Sequence, residues 1–479
     1  MDAASSQSRH SSVEAGESWW SEGRQEGESS RTMESELKSP SVPATDKQGE
    51  EDLWHRYKAE RFVWSGKMLE ALDKGVKGNK WFSLIDKVFK ATTLELAWAK
   101  VRSNAGACGA DGITVKRFAK GSQTRLLAVK EQIERNDYQP QSIKRVWIPK
   151  PGSPEKRPLG IPTVRDRVVQ TALRMVIEPI FEREFCDASY GFRPGRGCKD
   201  ALRQVDALLK SGCSHVVDID IKGYFDAIPH DRLMKLVGER IADKRVLGMI
   251  EGFLKAGVLE GLEVDAESDE GTPQGGVISP LLANIYLNPL DRLLEEKGYE
   301  AVRYADDMVV LCRSEAEAHE TLARVAGWMG NAGLVLHPEK TRVVSLTEAG
   351  SHFDFLGYRF WRNRAGGFSR FVRPKSRQKL KARLKPLTKR ANGHSLPVIV
   401  TKIDPILRGW YGYFKQAHSS EMKSIDGWVR GRLRSILRKR RKGRGRGRGL
   451  DHQRWPNRYF ADLGLFCLEE TRRKEFQSP

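Results

Sequence analysis

Residues 302–312 read VRYADDMVVLC, two apolar, β-branched arms meeting around two adjacent aspartates. Arms of this kind about an acidic centre predict a β-hairpin with both strands buried. Asp306 and Asp307 are then forced together at the tip, where like charges repel unless water or a cation screens them. Two acids in a turn are, alone, no more than a solvated pair. A second strand, HVVDIDIK (215–222), strengthens the reading. It puts Asp218 and Asp220 two residues apart and so on one face. Carboxylates ending two buried strands suit a hard divalent cation that leaves room for substrate phosphates. A pair of such ions serves phosphoryl transfer.

Charge distribution narrows the partner. The net charge is +21, yet residues 361–450 alone hold 27 basic and 3 acidic groups, so the rest of the chain is slightly acidic. A block of this kind predicts a polyanion-binding surface. Trp410, Tyr411, Tyr413, Phe414 and Trp428 are interleaved with its cations. A merely solvated arm has no need of them, so a folded nucleic-acid-binding domain is expected. The six cysteines form no C-x-x-C pair, which argues against a zinc ribbon and a secreted disulfide framework. No apolar run approaches the ~20 residues of a membrane span, and no secretory leader is legible. A cytoplasmic location without membrane attachment is expected.

At 479 residues the chain has room for about three domains. Residues 1–50, rich in Ser and acids, read as a disordered extension, and 51–100 as helices. Residues 140–165 form a Pro/Gly-punctuated hairpin, followed by an amphipathic helix, VVQTALRMVIEPIFEREF. A helix is expected from Gly275 through GGVISPLLANIYLNPLDRLL and another over 315–331. Strands are expected at LVLHPEKTRVVSL and FDFLGYRF, then three basic helices from 375 and a flexible RKGRGRGRG. Mixed helices and antiparallel strands make the core α+β.

Several blocks together resemble bacterial group II intron-encoded reverse transcriptase/maturase proteins, in the family's order from about residue 95 to 465. They include DGITVKRF (111–118), IPKPGSPEKRPLGIPTVRDRVVQ (148–170), SYGFRPGRG (189–197) and DIDIKGYFDAIPHD (218–231). GTPQGGVISPLLANIYLN (271–288), YADD (304–307), GLVLHPEKT (333–341) and FDFLGYRF (353–360) follow. LRGWYGYFK (407–415) and RWPNRYFADLGLFCL (454–468) complete the set. The resemblance implies a right-hand polymerase, with fingers and an antiparallel palm sheet ahead of an α-helical thumb/maturase domain. The implied divisions are N-terminal helices and fingers at 51–200, palm at 201–360, basic thumb/maturase at 361–449 and a tail at 450–479.

By the same resemblance, Asp220, Asp306 and Asp307, with the Ile221 carbonyl, would hold two Mg²⁺ ions, with Mn²⁺ as a substitute. Lys150, Arg157, Phe225, Gln274 and Lys340 would bind the incoming dNTP, Phe225 excluding a 2′-hydroxyl. Phe355, Leu356 and Gly357 would form the primer grip. Trp410, Tyr413 and the run Arg438, Lys439, Arg440, Arg441, Lys442 would bind RNA. The implied partners are group II intron RNA in a ribonucleoprotein, an RNA template, a DNA primer or target, and dNTPs. With Cys467 the lone cysteine after the basic block, a type lacking the family's Cys-paired endonuclease is expected. A host-recruited reverse transcriptase in defence or repair and a splicing-only RNA-binding cofactor are the alternatives. Intact carboxylates speak against the latter.

Overall fold

The computed structural model describes residues 53–149, 156–260, 263–265, 269–445, 447 and 449–477. The expected disorder of residues 1–50, Lys150 and the tip of the 140–165 hairpin lie outside the described residues.

Three sheets order the chain. β1 (Ile143–Pro149) and β2 (Lys156–Ile161) form the expected antiparallel hairpin, and β1 also pairs in parallel with β4 (Val258–Glu260) of a second hairpin, β4–β5 (Glu263–Asp265). The central sheet runs β6-β7-β3-β8, from β3 (His215–Asp220), β6 (Glu300–Tyr304), β7 (Asp307–Cys312) and β8 (Arg342–Ser345), antiparallel throughout. β9 (His352–Phe355), β10 (Tyr358–Arg362) and β11 (Phe368–Val372) make the third sheet.

Side-chain alternation lets the central sheet separate two cores. Val217, Ile219, Met308, Val310 and Cys312 join a large cluster with helices α1 (Ala91–Asn104), α2 (Val164–Glu182) and α3 (Ser279–Glu296). Val216, Val302, Val309 and Leu311 face the other way, into a cluster with β9 and β10 and with α4 (Pro374–Leu387), α5 (Leu396–Phe414) and α6 (Ser419–Arg440). A period of two residues is what allows one sheet to serve both.

Three expectations need correction. α2 is buried over far more of its circumference than an amphipathic surface helix, with Val164, Ala172, Val176 and Ile180 among its many inaccessible residues. A narrow polar stripe of Arg167, Arg174 and Glu178 stays partly exposed. α3 begins at Ser279, four residues after Gly275. Gly275 has φ +115°, and a Cβ there would stand 2.3 Å from the Gly160 carbonyl oxygen, so the chain is still turning against β2. In LVLHPEKTRVVSL only Arg342–Ser345 is a strand, and Leu336 makes an isolated bridge to Ile221. The 315–331 helix (Glu315–Asn331) and the three basic helices match expectation.

Candidate active site

Asp220 ends β3 and Asp307 opens β7, and the register pairs them directly. Cross-strand partners share a face. Asp218, Asp220 and Asp307 therefore lie on the face carrying Val216, Val309 and Leu311, at the end where that second core opens. Asp306 occupies the two-residue turn between Tyr304 and Asp307. Ala305, the other turn residue, has φ +59°, a conformation that side chains seldom adopt and that hairpin turns of this length require.

The carboxylates are electrostatically unsatisfied. Burial, reinforced by Asp306, Asp218 and Asp220, pushes the Asp307 carboxyl up to about 7. Protein atoms crowd the carboxyl from many directions, yet the residue itself is exposed to solvent, which screens the effect. Burial also raises Asp218 to about 6, against the pull of Arg342, and raises Asp306, with Asp220 adding to the rise. Lys340 Nζ stands 3.1 and 3.3 Å from the two oxygens of Asp220. The segment before it straps the strand end: His337 N donates to the Asp220 carbonyl at 2.8 Å, and Lys222 N to the Val335 carbonyl at 2.9 Å.

Hard oxygen donors crowded at one strand end, one of which already draws an ammonium, fit a divalent cation. Among the described residues, no three acidic, His or Cys side chains are gathered closely enough to hold a metal ion as they stand. The fit therefore rests on donor chemistry and a shared strand end.

Past the end of β3, Phe225 is half-buried, edge-on to Tyr224. Its carbonyl accepts from Thr272 N, and Gln274 Nε2 donates to Asp226 Oδ2 at 2.9 Å. The Gln274 carbonyl accepts from Gly160 N at 2.6 Å. The 271–278 loop thus joins the Phe225 turn to β2, whose Lys156 and Arg157 are exposed. Buried Gln170 on α2 holds the loop from behind, accepting from Val277 N at 2.7 Å.

Two groups differ from expectation. Phe355 and Leu356 are buried side chains, so neither offers a free side chain to a primer. Tyr413 packs against Tyr358 and donates its hydroxyl to the Leu356 carbonyl at 2.7 Å, bracing that turn rather than offering a free ring to RNA. Trp410 is half-buried against Phe414. Both aromatics fill the second core because α5 must seal it. In the basic run, Arg438 pairs with Asp451, whereas Lys439, Arg440, Arg441 and Lys442 are exposed. Among the described residues no helix is long and apolar enough to cross a membrane.

Sequence reasoning missed the buried groups beneath the turn. Arg303 is wholly inaccessible and forks onto Asp291 of α3, with Nε to Oδ1 at 2.7 Å. The signal was present: a lone cation in an apolar strand, and Asn284 and Asp291 seven apart on an apolar helix.

The description "Reverse transcriptase (RNA-dependent DNA polymerase)" matches residues 148–360, and "Group II intron, maturase-specific domain" matches 377–455. Protein YkfC of Escherichia coli (strain K12) is 33% identical over 297 residues, which cover 54% of this chain and 76% of that protein. Group II intron-encoded protein LtrA of Lactococcus lactis subsp. cremoris is 37% identical over 267 residues, covering 54% of this chain but 43% of LtrA. The chain thus spans about three quarters of the first relative and under half of the second. A chain of a partial Cas6-RT-Cas1–Cas2 complex superposes with a TM-score of 0.34 at 23% identity, over 53% of this chain and 44% of that one, and carries no argument. With an α+β polymerase core bearing YADD on its hairpin and a basic helical region after it, the chain belongs to the group II intron-encoded reverse transcriptase/maturase family.

Proposed function

We propose that this protein is an RNA-directed DNA polymerase that binds a group II intron RNA, assists its splicing and copies it into cDNA. The observation that carries the polymerase reading is the pairing of Asp220 with Asp307, beside Asp306, at one sheet end, with Lys340 on the Asp220 carboxylate. Asp220, Asp306 and Asp307 would hold two Mg²⁺ ions, which Mn²⁺ could replace. Bound there, such ions would supply a lowered pKa to an attacking 3′-hydroxyl and charge stabilisation to a leaving pyrophosphate.

The chain's own residues do the rest. Phe225 stands beside the loop that bears Gln274, where a ring would occupy the volume a 2′-oxygen needs. Lys340 is flexible and solvent-exposed, free to exchange the Asp220 carboxylate for a triphosphate oxygen. Arg157 on the β1–β2 hairpin supplies a further phosphate contact. The Leu356–Gly357 backbone would hold the primer end. The splicing role rests on the maturase-specific match and the exposed cations after α6. Divisions between fingers, palm, thumb/maturase and tail are placed at about 200, 360 and 449, and a bacterial cytoplasmic location follows from the reading.

Primer extension on an RNA template with Mg²⁺ and dNTPs tests the proposal. The wild type should incorporate dNTPs, and Asp306→Ala should reduce incorporation by at least about 100-fold while binding intron RNA as the wild type does. Undiminished extension by the variant, or none by the wild type, would overturn the assignment.

A further inference from the structure

Arg303 lies on the far side of the central sheet from the acids. Its cross-strand partner is Met308, which faces the first core, while Asp307 faces the second. There the guanidinium makes four hydrogen bonds to three partners. It forks onto Asp291, both residues being fully inaccessible. Its Nη1 donates to Asn284 Oδ1 at 2.9 Å and to the Ala305 carbonyl at 2.9 Å. Asn284 in turn donates Nδ2 to the Gly191 carbonyl at 2.8 Å. Gly191 lies flat against the turn, for a Cβ there would stand 2.3 Å from Ala305 N. The backbone of Arg303 closes the arrangement, with its N on the Ala188 carbonyl at 2.8 Å and its own carbonyl taking Tyr190 N at 2.8 Å.

Ala305 keeps its positive φ with no glycine to ease it. Such a conformation persists only where the surroundings over-determine it. Here the peptide is gripped by Arg303 from beneath and walled by Gly191 from the side. The next residue is Asp306. We propose that Arg303, held by Asp291 and Asn284, is a positioning residue that fixes the Ala305 turn and so aims Asp306 and Asp307 at the polymerase centre. The fork geometry is what suits arginine: a lysine would keep the charge beside Asp291 but lacks a planar fork to reach Asn284 and Ala305 together. Because α3 follows directly on the 271–278 loop, the same helix ties the loop that carries Gln274 to the carboxylate turn. This inference rests on the polymerase reading above and deepens it.

Arg303→Lys and Asn284→Ala in the full chain test it, with three measurements on each. Active enzyme is titrated first, so that misfolded protein does not enter the rate. The single-turnover rate constant per active site at saturating dNTP should then fall on the order of 10- to 100-fold, with the dNTP concentration for half-maximal rate little changed. Mn²⁺ binding to the enzyme–primer–template complex, read from the free-ion paramagnetic resonance signal, should weaken several-fold. Asn284→Ala should move both quantities the same way by less. A purely structural role would lower the active fraction and the melting temperature and leave rate constant and Mn²⁺ midpoint at wild-type values; that outcome in either variant overturns the proposal. Wild-type protein that extends no primer would instead overturn the polymerase reading itself.

Discussion

Gly191→Ala tests the geometry of the site with a single methyl group. The new Cβ would sit 2.3 Å from Ala305 N and 2.8 Å from the Tyr304 carbonyl carbon, where real Cβ contacts are essentially never under 3.0 Å. Something must retreat by about 0.7 Å, and the neighbours are backbone, not the free end of a side chain. Gly191 is itself held by Asn284 through its carbonyl, so the Ala305–Asp306 turn is the part that yields. Overpacking of this kind costs about 1–3 kcal/mol of stability. A misplacement approaching 1 Å can cost on the order of 100-fold in rate. Gly191→Ala should therefore remain folded, melt a few degrees lower and lose about 30- to 100-fold in single-turnover extension per active site. Gly248→Ala is the control, since nothing lies within 4 Å of its new methyl in the helix Lys244–Lys255. It should gain about 0.5–1 kcal/mol of helix stability and keep its rate. A Gly191→Ala enzyme with the wild-type rate constant would refute the claim that this contact sets the carboxylate turn.

Phe225→Val should raise use of ribonucleotides relative to deoxyribonucleotides by roughly 10- to 100-fold in single-nucleotide kinetics; an unchanged ratio demotes the ring to packing. Asp307 has a folded-state carboxyl pushed from 3.8 to about 7, so its ionisation opposes folding, fully above about pH 7 and only slightly near pH 4, an effect that solvent at this exposed residue screens. In chelator, Asp307→Asn should thus melt about 1–3 °C higher than the wild type at pH 8 and higher by only a small fraction of that at pH 4. An equal difference at both pH values would contradict the cause assigned to the shift. Neutralising Lys439, Arg441 and Lys442 should flatten the slope of log affinity for intron RNA against log salt by about 2. Arg438→Gln, which breaks the pair with Asp451, should lower the melting temperature more than the slope. A triple variant with the wild-type slope would remove these cations from the RNA interface.

Much of this protein was legible in order along the chain because the signals are local. The two-residue period of HVVDID and of the arms around YADD is a property of neighbouring side chains, and so is the 3.6-residue period of Glu315–Asn331. The segregation of 27 basic groups into 361–450 likewise needs no coordinates. The fold class and the three carboxylates follow from those patterns and the order of the motif blocks.

Tertiary structure alone decided what depends on pairing between distant segments. Only the β3–β7 register sets Asp220 opposite Asp307 instead of one residue out, which would turn it to the other face. Only packing narrows the exposed side of α2 to a stripe, and only α5 sealing the second core turns Tyr413 from an exposed ring into a brace for the Leu356 carbonyl. The contact of Gly275 with Gly160 delays α3 by four residues against a helical pattern that already reads as begun. Arg303 shows the division most clearly. Its charge in an apolar strand announces that some partner must exist, because a buried cation without one is prohibitively costly. Which partner, and that the pair would hold the turn bearing Asp306, is written in the approach of a helix, a glycine and a hairpin that no local period encodes.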